Sequence, residues 1–279
     1  MNKLYKSIMK KNPWVQAPQI PQVQSLLNTI TPVNFSRGSG IAKKRLDLLE
    51  QQYREWVKDI IDLSEFNYCY FVNGVTDALN QWVATETRPW QYLQGDYEYA
   101  RMIGGNASCE EVIQPDKLLY ISNPECATGN FINVDKIKNS VILDCAYVGS
   151  TAIYKIIPPL NTEQIWFSFS KGWGLIGQRS GLIFTKQPHK SLSIMKRVEA
   201  WNYTSVEICL AVIANFKIDD IYNMYKQKQY DICKNYKLTP SDCFFIANST
   251  DEEYSIRRRQ GNVARLDLSH ILNGEQHAQ

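Results

Sequence analysis

Four short apolar runs in the middle of this chain constrain its fold more than any other feature. They cover residues 118–122, 140–143, 164–168 and 181–185, and each is closed or followed by polar residues. Runs that are apolar throughout are typical of strands covered on both faces in a parallel sheet. A fifth run, residues 68–72, precedes a helical pattern. Strands that alternate with helices in this way predict an α/β fold with a mostly parallel central sheet flanked by helices.

The segments on either side of these runs have patterns of their own. Residues 12–34 contain several prolines and glutamines, which favours an extended arm. Residues 41–63 carry apolar side chains at helical spacing and predict a packed helix. Residues 191–228 are helical by pattern, and two alternating strand patterns follow at residues 242–247 and 263–268.

These patterns divide the chain into three regions. We predict an N-terminal arm over residues 1–40, a large α/β domain over 41–189 and a small C-terminal α+β domain over 190–279. In an open α/β sheet, ligands collect at the carboxyl ends of the strands, which directs the search for a site to the polar residues that follow each apolar run.

Composition excludes several classes of protein. The chain has 279 residues, of which 31 are basic and 28 acidic, so its net charge of +3 gives no reason to expect a nucleic acid or an anionic membrane as partner. No run approaches the ~20 apolar residues of a membrane-spanning helix. The seven cysteines form no Cys-x-x-Cys pair and the histidines number three, so we expect no metal site and a reducing, cytoplasmic location.

The turn after the first strand has the features of an anion site. Residues 73–77 read Asn-Gly-Val-Thr-Asp and stand between the strand at 68–72 and a helical start at 78–83. Backbone N–H groups at the start of a helix point outward and attract negative charge. An anion is therefore the expected ligand of this turn.

A second segment points to covalent chemistry. Lys171 follows small hydroxyl residues in Phe167-Ser-Phe-Ser-Lys171, and Arg179 comes eight positions later in a glycine-rich loop that ends at Gly181. A lysine in such a setting is suited to forming a Schiff base with a carbonyl compound. The planar guanidinium of Arg179 could grip a phosphate with two parallel hydrogen bonds.

Taken in chain order, these segments resemble the motifs of the fold-type I aminotransferase superfamily, whose members use pyridoxal 5′-phosphate (PLP). Residues 73–79 resemble the family's phosphate-cradling turn, and residues 123–129 resemble its Asn-Pro-Asn-Asn-Pro-Thr-Gly loop. Residues 144–147 are similar to its Asp-Glu-Ala-Tyr element, and residues 167–171 to its lysine segment. Residues 262–268 are similar to the Val-Arg-Leu-Ser-Leu ending of tryptophan-aminotransferase and alliinase relatives.

The resemblance assigns the catalytic residues. It implies that Lys171 forms the aldimine with PLP and later shuttles the proton at Cα of the substrate. It implies that Asp144 keeps the pyridine nitrogen of the cofactor protonated, which sustains the electron sink of the ring. Tyr147 is expected to donate a hydrogen bond to the phenolic oxygen of the cofactor.

The resemblance also assigns the residues that hold the cofactor phosphate. The phosphate is expected to lie against the turn formed by Gly74, Val75 and Thr76. Ser168 and Arg179 are expected to complete its hydrogen bonds.

Two further cofactor contacts are expected at the ring. An aromatic side chain should stack on the pyridine face; Tyr97 matches the family's usual position, and Trp90 is its rival. The family asparagine that contacts the phenolic oxygen falls on Cys126, and a thiol is a poor substitute for an amide donor. Asn123 could make that contact after a shift of the loop.

The C-terminal strand supplies the expected substrate residue. The resemblance implies that Arg265 holds the α-carboxylate of the substrate with a two-pronged contact. The neighbouring run at residues 257–259, three arginines, is interpreted as a solvated basic surface instead of a site.

Arg265 also bears on the reaction. A carboxylate clamped near the plane of the cofactor ring leaves the Cα–H bond as the one to break, which favours an aminotransferase that moves an amino group from an amino acid to a keto acid or other carbonyl compound. Two alternatives stay open: a PLP-dependent Cβ lyase or decarboxylase on the same scaffold, and a degenerate PLP-fold protein that binds ligands without catalysis. The family completes its sites across two subunits, so a homodimer is expected.

Overall fold

The computed structural model of this chain describes residues 16–36 and 38–273, which form two β-sheets with helices packed around them. The strands are β1 (Tyr68–Val72), β2 (Trp90–Leu93), β3 (Ala107–Glu110), β4 (Leu118–Ser122), β5 (Val141–Cys145), β6 (Thr162–Ser168), β7 (Gly181–Thr185), β8 (Thr239–Pro240), β9 (Ile246–Ser249), β10 (Arg258–Gln260) and β11 (Val263–Asp267). The helices are α1 (Pro21–Leu27), α2 (Ile41–Val57), α3 (Val75–Val83), α4 (Glu98–Ile103), α5 (Lys190–Arg197), α6 (Tyr203–Asn215), α7 (Asp220–Tyr236) and α8 (Ser269–Leu272), with short 3₁₀ helices at Ile176–Gln178 and Glu252–Arg257.

The large sheet has the strand order β1-β7-β6-β5-β4-β2-β3. Strand β7 runs antiparallel to both of its neighbours, and the other neighbouring pairs are parallel. Ser122 pairs with Asp144, and Cys145 pairs with Phe167, so β4, β5 and β6 reach their carboxyl ends at one edge of the sheet. This architecture confirms the predicted α/β fold with a mostly parallel central sheet.

The strands of the large sheet were partly visible in the sequence. The predicted strands at 68–72, 118–122 and 181–185 agree with the structure, whereas β5 and β6 extend beyond their predicted bounds. Strands β2 and β3 were not predicted. Both have four residues, and β2 buries the polar Gln91, whose amide is satisfied by Gln114 N (2.7 Å) and Gln114 O (2.6 Å).

The predicted helix over residues 41–63 ends early, at Val57. Its apolar stripe is buried as expected, and Leu46, Leu49 and Tyr53 pack into the core. The chain then leaves the helix in a tight turn, because the N–H groups of residues 60 and 61 both donate to the Val57 carbonyl (2.8 and 2.9 Å). Ile60 and Ile61 remain buried after the helix, which is why the apolar pattern continued past its true end.

The second sheet contains four antiparallel strands in the order β10-β11-β9-β8. The strand predicted at 263–268 is β11, whereas the one predicted at 242–247 begins later, as β9 at Ile246. The backbone just before β9 bonds to the large domain instead: Cys243 N donates to Gly129 O (3.2 Å) and Phe244 N donates to Ser150 O (3.0 Å).

One continuous cluster of buried side chains joins the two sheets. It includes Leu143 and Phe167 of the large sheet and Ala264 and Leu266 of the second sheet. The division at residue 190 into a large and a small domain therefore stays a prediction.

The described part of the predicted arm is partly helical. Pro21 stands at the start of α1, where its missing N–H group does not break a hydrogen bond. Ile20 and Val23 are fully buried in the shared core. Residues 1–15 of the arm, and Arg37, lie outside the described residues.

Two features of the described ranges bear on function. Within residues 16–36 and 38–273, no helix is long and apolar enough to cross a membrane. The same ranges contain no group of three or more His, Cys, Asp or Glu side chains that could hold a metal ion.

Candidate active site

A cavity of about 370 Å³ lies at the carboxyl edge of the large sheet, between that sheet and the second sheet. Its walls come from the start of α3, the ends of β5 and β6, the 3₁₀ turn before β7, and strands β10 and β11. Most of the residues predicted for the site line this cavity: Val75, Thr76, Tyr97, Asp144, Tyr147, Ser168, Lys171, Arg179 and Arg265.

Lys171 stands three residues after the end of β6 and lines the cavity. The turn before it is held by a hydrogen bond from Ser170 N to Ser168 Oγ (3.0 Å). Burial, and then the charge of Arg265, lower the pKa of the Lys171 ammonium group. A lowered pKa raises the fraction of neutral amine, which is the nucleophilic form.

The backbone after Lys171 is packed against a neighbouring loop. A Cβ atom at Gly172 would lie 2.7 Å from Ser150 N and closer still to the backbone carbon of Gly149. Because these are backbone atoms, no side-chain movement relieves the contact. Glycine at position 172 therefore fixes where the Lys171 turn sits relative to the loop at 149–150.

Asp144 lies at the end of β5, and its carboxylate is buried with two donors. Tyr120 Oη donates to Oδ2 at 2.5 Å, and Ala146 N donates to Oδ1 at 2.8 Å. Burial raises the pKa of Asp144 from 3.8 to about 7, against the lowering effect of these two hydrogen bonds. A cation bound beside Asp144 would restore its negative charge.

Tyr97 caps the start of α4 and is tied to the phosphate turn. Its hydroxyl lies 2.7 Å from Thr76 Oγ1. Trp90, the rival candidate for ring stacking, is buried away from the cavity in the core, where its ring lies 4.9 Å from that of Trp82. The geometry thus favours Tyr97, and its stacking role stays a prediction.

A second buried carboxylate, Asp96, braces this side of the cavity. It accepts hydrogen bonds from Ser122 N (3.0 Å), Ser122 Oγ (2.5 Å) and Tyr97 N (2.7 Å). Burial raises its pKa. These bonds join the end of β4 to the start of α4, a role that the sequence analysis did not predict because one aspartate in a turn is unremarkable by pattern.

The predicted phosphate turn has the expected geometry. Gly74 adopts φ +81°, and the first helical hydrogen bonds run from Asp77 N and Ala78 N to Gly74 O, so the N–H groups of Val75 and Thr76 are not used by the helix. A Cβ atom at Gly74 would lie 3.0 Å from Arg179 Nη2. Glycine is needed here both for its backbone conformation and for the space that Arg179 occupies.

Arg179 reaches this turn from the opposite wall. Its Nη2 donates to Asn73 O at 3.0 Å. No carboxylate among the described residues forms an ion pair with it. Its guanidinium is therefore held in place by a neutral acceptor and keeps its charge available for an anion.

Arg265 is a buried cation on β11. Its Nη1 donates to the Cys126 carbonyl oxygen and to Tyr147 Oη (3.3 Å). Both acceptors are neutral, and within the described ranges no carboxylate pairs with Arg265. A buried guanidinium without a counter-charge is a strong attractor for a carboxylate or phosphate.

In the loop at residues 123–129, Asn123 lies outside the cavity lining and Cys126 is part of it. Asn123 does not line the cavity: its fully buried amide bonds to Ile132, with Oδ1 accepting from Ile132 N (3.1 Å) and Nδ2 donating to Ile132 O (3.0 Å). Both ends of the amide brace the loop, so the proposed site does not include Asn123. Cys126 does line the cavity, and burial raises the pKa of its thiol to about 12.

Two charged residues that line the cavity, Arg259 and Glu98, were not predicted from the sequence. Residues 257–259 were interpreted as a solvated run, and Arg258 agrees, since it pairs with Glu252 at the surface (2.7 Å). Arg259 instead lines the cavity, and its Nη2 donates to Glu98 Oε2 (3.1 Å). Three arginines in a row give no periodicity from which the inward one could be identified.

A larger groove, of about 720 Å³, opens at the opposite edge of the large sheet. It lies between residues 85–88, 160–164 and 185–190. Arg88 crosses it in ion pairs with Glu86 (2.7 Å) and Glu163 (2.8 Å). None of the residues predicted to carry chemistry lies there, so the smaller cavity is the candidate active site.

Comparisons with known proteins agree with this geometry. No family model matches the chain. The histidinol-phosphate aminotransferase of Cytophaga hutchinsonii is 26% identical over 157 residues, which is 48% of this chain and 44% of the relative. The match thus spans less than half the length of that curated relative.

Solved structures match over nearly the whole chain. The PLP-bound C-S lyase from Staphylococcus hominis has a TM-score of 0.67 at 10% identity and covers 96% of this chain and 89% of that one. The histidinol-phosphate aminotransferase from Sinorhizobium meliloti, in complex with pyridoxal-5′-phosphate, has a TM-score of 0.63 at 14% identity and covers 94% and 88%. Likeness at such identities shows the fold.

These matches confirm the resemblance first seen in the motifs. Pyridoxal phosphate is the cofactor characteristic of the superfamily to which the matched proteins belong. This chain therefore has the fold-type I architecture of the PLP-dependent aminotransferase superfamily.

Proposed function

We propose that this protein is a PLP-dependent aminotransferase that removes the amino group of an amino acid and passes it to a keto acid or another carbonyl compound. The observation that carries the proposal is the grouping of Lys171, Asp144, Arg179 and Arg265 around one cavity, where neither arginine has a carboxylate partner among the described residues. That set supplies one group for each reactive or charged part of the cofactor and for the carboxylate of the substrate.

The donors around the cavity fit the cofactor phosphate. The N–H groups of Val75 and Thr76 lie outside the helical hydrogen bonds of α3, and Arg179 is fixed beside them by Asn73. Ser170 Oγ, which also lines the cavity, is buried without a hydrogen-bond partner among the described residues. Orphaned donors at a helix start, together with a guanidinium, are the chemistry that a phosphate requires.

Asp144 fits the other end of the cofactor. Burial disfavours the charged form of Asp144 and raises its pKa to about 7, so a neighbouring cation would stabilise that charged form. The protonated pyridine nitrogen of the cofactor would be this cation. Bound pyridoxal phosphate supplies an electron sink for the pair left when a bond to Cα of an amino acid breaks. Asp144 holds the proton on the ring nitrogen that makes this sink effective.

The remaining residues act on the substrate. Lys171, whose pKa is lowered by burial, would accept the proton from Cα of the amine donor. It would return a proton to the carbonyl carbon of the keto acid that receives the amino group. Arg265 orients the α-carboxylate, and Tyr147, which lies against Arg265 at 3.3 Å, keeps the guanidinium in that orientation. Tyr97, anchored to Thr76, would pack against the cofactor ring.

The setting of the enzyme is part of the proposal. All seven cysteines are free, and six of them are buried, which supports a reducing compartment and a cytoplasmic location. The resemblance supports a homodimer. Sedimentation analysis of the purified protein is expected to give twice the chain mass, and a monomer would contradict that part of the proposal.

The proposal is tested by the half-reaction with amine donors. The purified protein is loaded with PLP, and the visible absorption of the lysine-bound cofactor is followed while single amino acids are added. We expect at least one donor to convert the cofactor to its pyridoxamine form with release of the matching keto acid in equal amount.

The alternatives give different results in the same experiment. A Cβ lyase releases pyruvate or a related keto acid and ammonia while the cofactor band recovers, and a decarboxylase releases CO₂. A binding module shows the band without turnover of any donor. Arg265 supports transamination over decarboxylation, since a clamped carboxylate leaves Cα–H as the reacting bond.

A further inference from the structure

Beside the α-carboxylate residue, the cavity contains a second arginine that the proposed reaction does not require. We propose that Arg259 forms a second anion subsite next to Arg265, so that the preferred amine donor carries an acidic group on its side chain, a carboxylate or a phosphate. This inference rests on the proposed function, because it assigns the substrate class of the same site.

A β-bulge places Arg259 at the cavity. Arg258 pairs with Ala264 and Gln260 pairs with Val263, so two steps along β10 match one step along β11, and Arg259 is the extra residue. Bulges bend the strand and redirect a side chain, and they are common next to active sites. The arginine before the bulge stays at the surface, whereas the bulged one lines the cavity.

Close packing holds the bulge in place. Gly95 adopts φ +88°, and a Cβ atom there would lie 3.0 Å from the Cβ of Gln260 and 3.3 Å from the backbone carbon of Arg259. The loop before α4 therefore rests directly on the bulged strand. This contact brings Asp96 O within 3.3 Å of Arg259 Nη2.

The guanidinium of Arg259 is bonded to the protein through one of its three nitrogens. Both of its hydrogen bonds, to Glu98 Oε2 (3.1 Å) and to Asp96 O (3.3 Å), use Nη2. Within the described ranges, Nε and Nη1 have no protein acceptor. A guanidinium offers five N–H donors in a fixed fork, so a ligand oxyanion can take the edge that Glu98 does not.

The charges around the cavity favour a second anion. Its lining contains the three arginines Arg179, Arg259 and Arg265, against the two carboxylates Glu98 and Asp144. The cofactor phosphate would neutralise the charge of Arg179, and the substrate α-carboxylate would neutralise that of Arg265. Burial and then the charge of Arg265 lower the pKa of Arg259, and the Glu98 carboxylate offsets only part of that effect.

A substrate with one carboxylate binds Arg265 and leaves Arg259 bonded to the protein through Nη2 alone. A second oxyanion on the side chain satisfies both. The shared chemistry is an oxyanion that accepts two parallel hydrogen bonds, and it does not distinguish a carboxylate from a phosphate.

The test compares donors with the holoenzyme. L-aspartate, L-glutamate and O-phospho-L-serine are the acidic donors, and L-alanine and L-leucine are the neutral ones. We expect kcat/KM to be at least about 10-fold higher for one acidic donor than for either neutral one, as a charge-assisted contact provides. Preference for phosphoserine over the dicarboxylic donors identifies a phosphate subsite, and the reverse identifies a carboxylate subsite.

The variant Arg259→Gln should lose about 10- to 100-fold in kcat/KM for the acidic donor and less than about 3-fold for L-alanine, as expected for a lost charge-assisted contact. Arg259→Lys should recover only part of the loss, because an ammonium group cannot bind in two-pronged fashion. Arg258→Gln, one residue away and outside the cavity lining, is the matched control and should keep the wild-type ratio of kcat/KM between acidic and neutral donors. Circular dichroism and the PLP absorption band check that each variant is folded and loaded.

A binding measurement gives a second readout. Calorimetry of the holoenzyme with succinate and with propionate should show tighter binding of succinate, and Arg259→Gln should abolish the difference. Equal losses for acidic and neutral donors in Arg259→Gln, or no loss at all, would overturn the subsite. If the cofactor band forms and neutral donors react best, the subsite proposal fails and the aminotransferase proposal stands. If no donor reacts, the proposed function itself fails. Only tighter binding of succinate than of propionate can then support the subsite.

Discussion

At the scale of single residues, the candidate site depends on Asp144, a carboxyl group whose charged form is disfavoured by burial. Asp144 is buried, and its pKa is raised from 3.8 to about 7 by that burial. Without the cofactor, ionising Asp144 opposes folding. Its value to the proposed reaction comes from the cation that the cofactor brings.

This arrangement predicts how Asp144→Asn changes stability with pH. A carboxyl whose pKa is higher in the folded than in the unfolded state binds more protons when folded, so stability falls as pH rises through the window between 3.8 and about 7. In the cofactor-free protein, the stability of Asp144→Asn relative to wild type should be greater at about pH 8 than at about pH 5 by roughly 1–3 kcal/mol. Urea denaturation at the two pH values measures this, and a difference that does not change with pH would contradict it.

Tyr120 is the residue that offsets the burial of Asp144. Its hydroxyl donates to Asp144 Oδ2 at 2.5 Å, a bond that favours the charged form. In Tyr120→Phe we expect the pKa of Asp144 to rise further, so that tight PLP binding begins at a pH higher by about 1–2 units. Absorption titrations of PLP from about pH 5 to 9, a range that brackets the titration of Asp144, measure the shift.

A second buried tyrosine, at the far edge of the same sheet, provides the control for that experiment. Tyr70 on β1 hydrogen-bonds Ser193 at 2.8 Å and does not line the cavity. Tyr70→Phe removes a similar buried hydroxyl bond and should leave the pH dependence of PLP binding unchanged. Equal shifts in both variants would show a general loss of packing and not an effect on Asp144.

At the scale of secondary-structure elements, the turn after β6 is the most constrained part of the site. Gly172 has no room for a side chain, because backbone atoms of residues 149 and 150 would lie within 2.7 Å of its Cβ. Gly172→Ala should destabilise the protein by about 3 kcal/mol, at the upper end of the range for overpacking.

Gly177 in the same loop provides the matched control for Gly172. A Cβ atom at Gly177 would have no other atom within 4 Å. Gly177→Ala should therefore change the free energy of unfolding by less than about 0.5 kcal/mol. Urea denaturation compares the two variants, and equal effects would contradict the packing argument.

Elements were predictable from the sequence where local pattern and tertiary setting agree. The strand that carries Ser122 was recognised because it is almost entirely apolar and fully buried, and the strand that carries Ser168 was recognised by its buried apolar second half. Strand β2 was missed because Gln91 is polar and yet buried, with its amide satisfied by a loop 23 residues away. The early end of α2 was missed because Ile60 continues the apolar pattern after the backbone has turned.

The same distinction holds for the site. The residues in the motifs, such as Lys171 and Asp144, were predictable because chemistry fixes their type and order. Arg259 was not predictable, because its inward position depends on a bulge in the pairing of β10 with β11. The position of Asn123 outside the cavity lining was not predictable, because no pattern shows that its amide bonds to Ile132.

At the scale of the whole molecule, the cavity depends on both sheets. The large sheet provides Asp144 and the segment of Lys171, and the second sheet provides Arg265 and Arg259. One buried cluster of side chains runs through both, so the two walls are held at a fixed separation. The chemistry proposed for the site requires that separation, because cofactor and substrate must lie between the walls.

The central claim is that Lys171 is the residue to which PLP is bonded, and one measurement tests it directly. The PLP-loaded protein is reduced with borohydride, which makes the bond to lysine permanent, and is then digested and mapped by mass spectrometry. The account predicts one labelled peptide, with the phosphopyridoxyl group on Lys171, and no label in Lys171→Ala. A label on another lysine, or none in the wild-type protein, would contradict it.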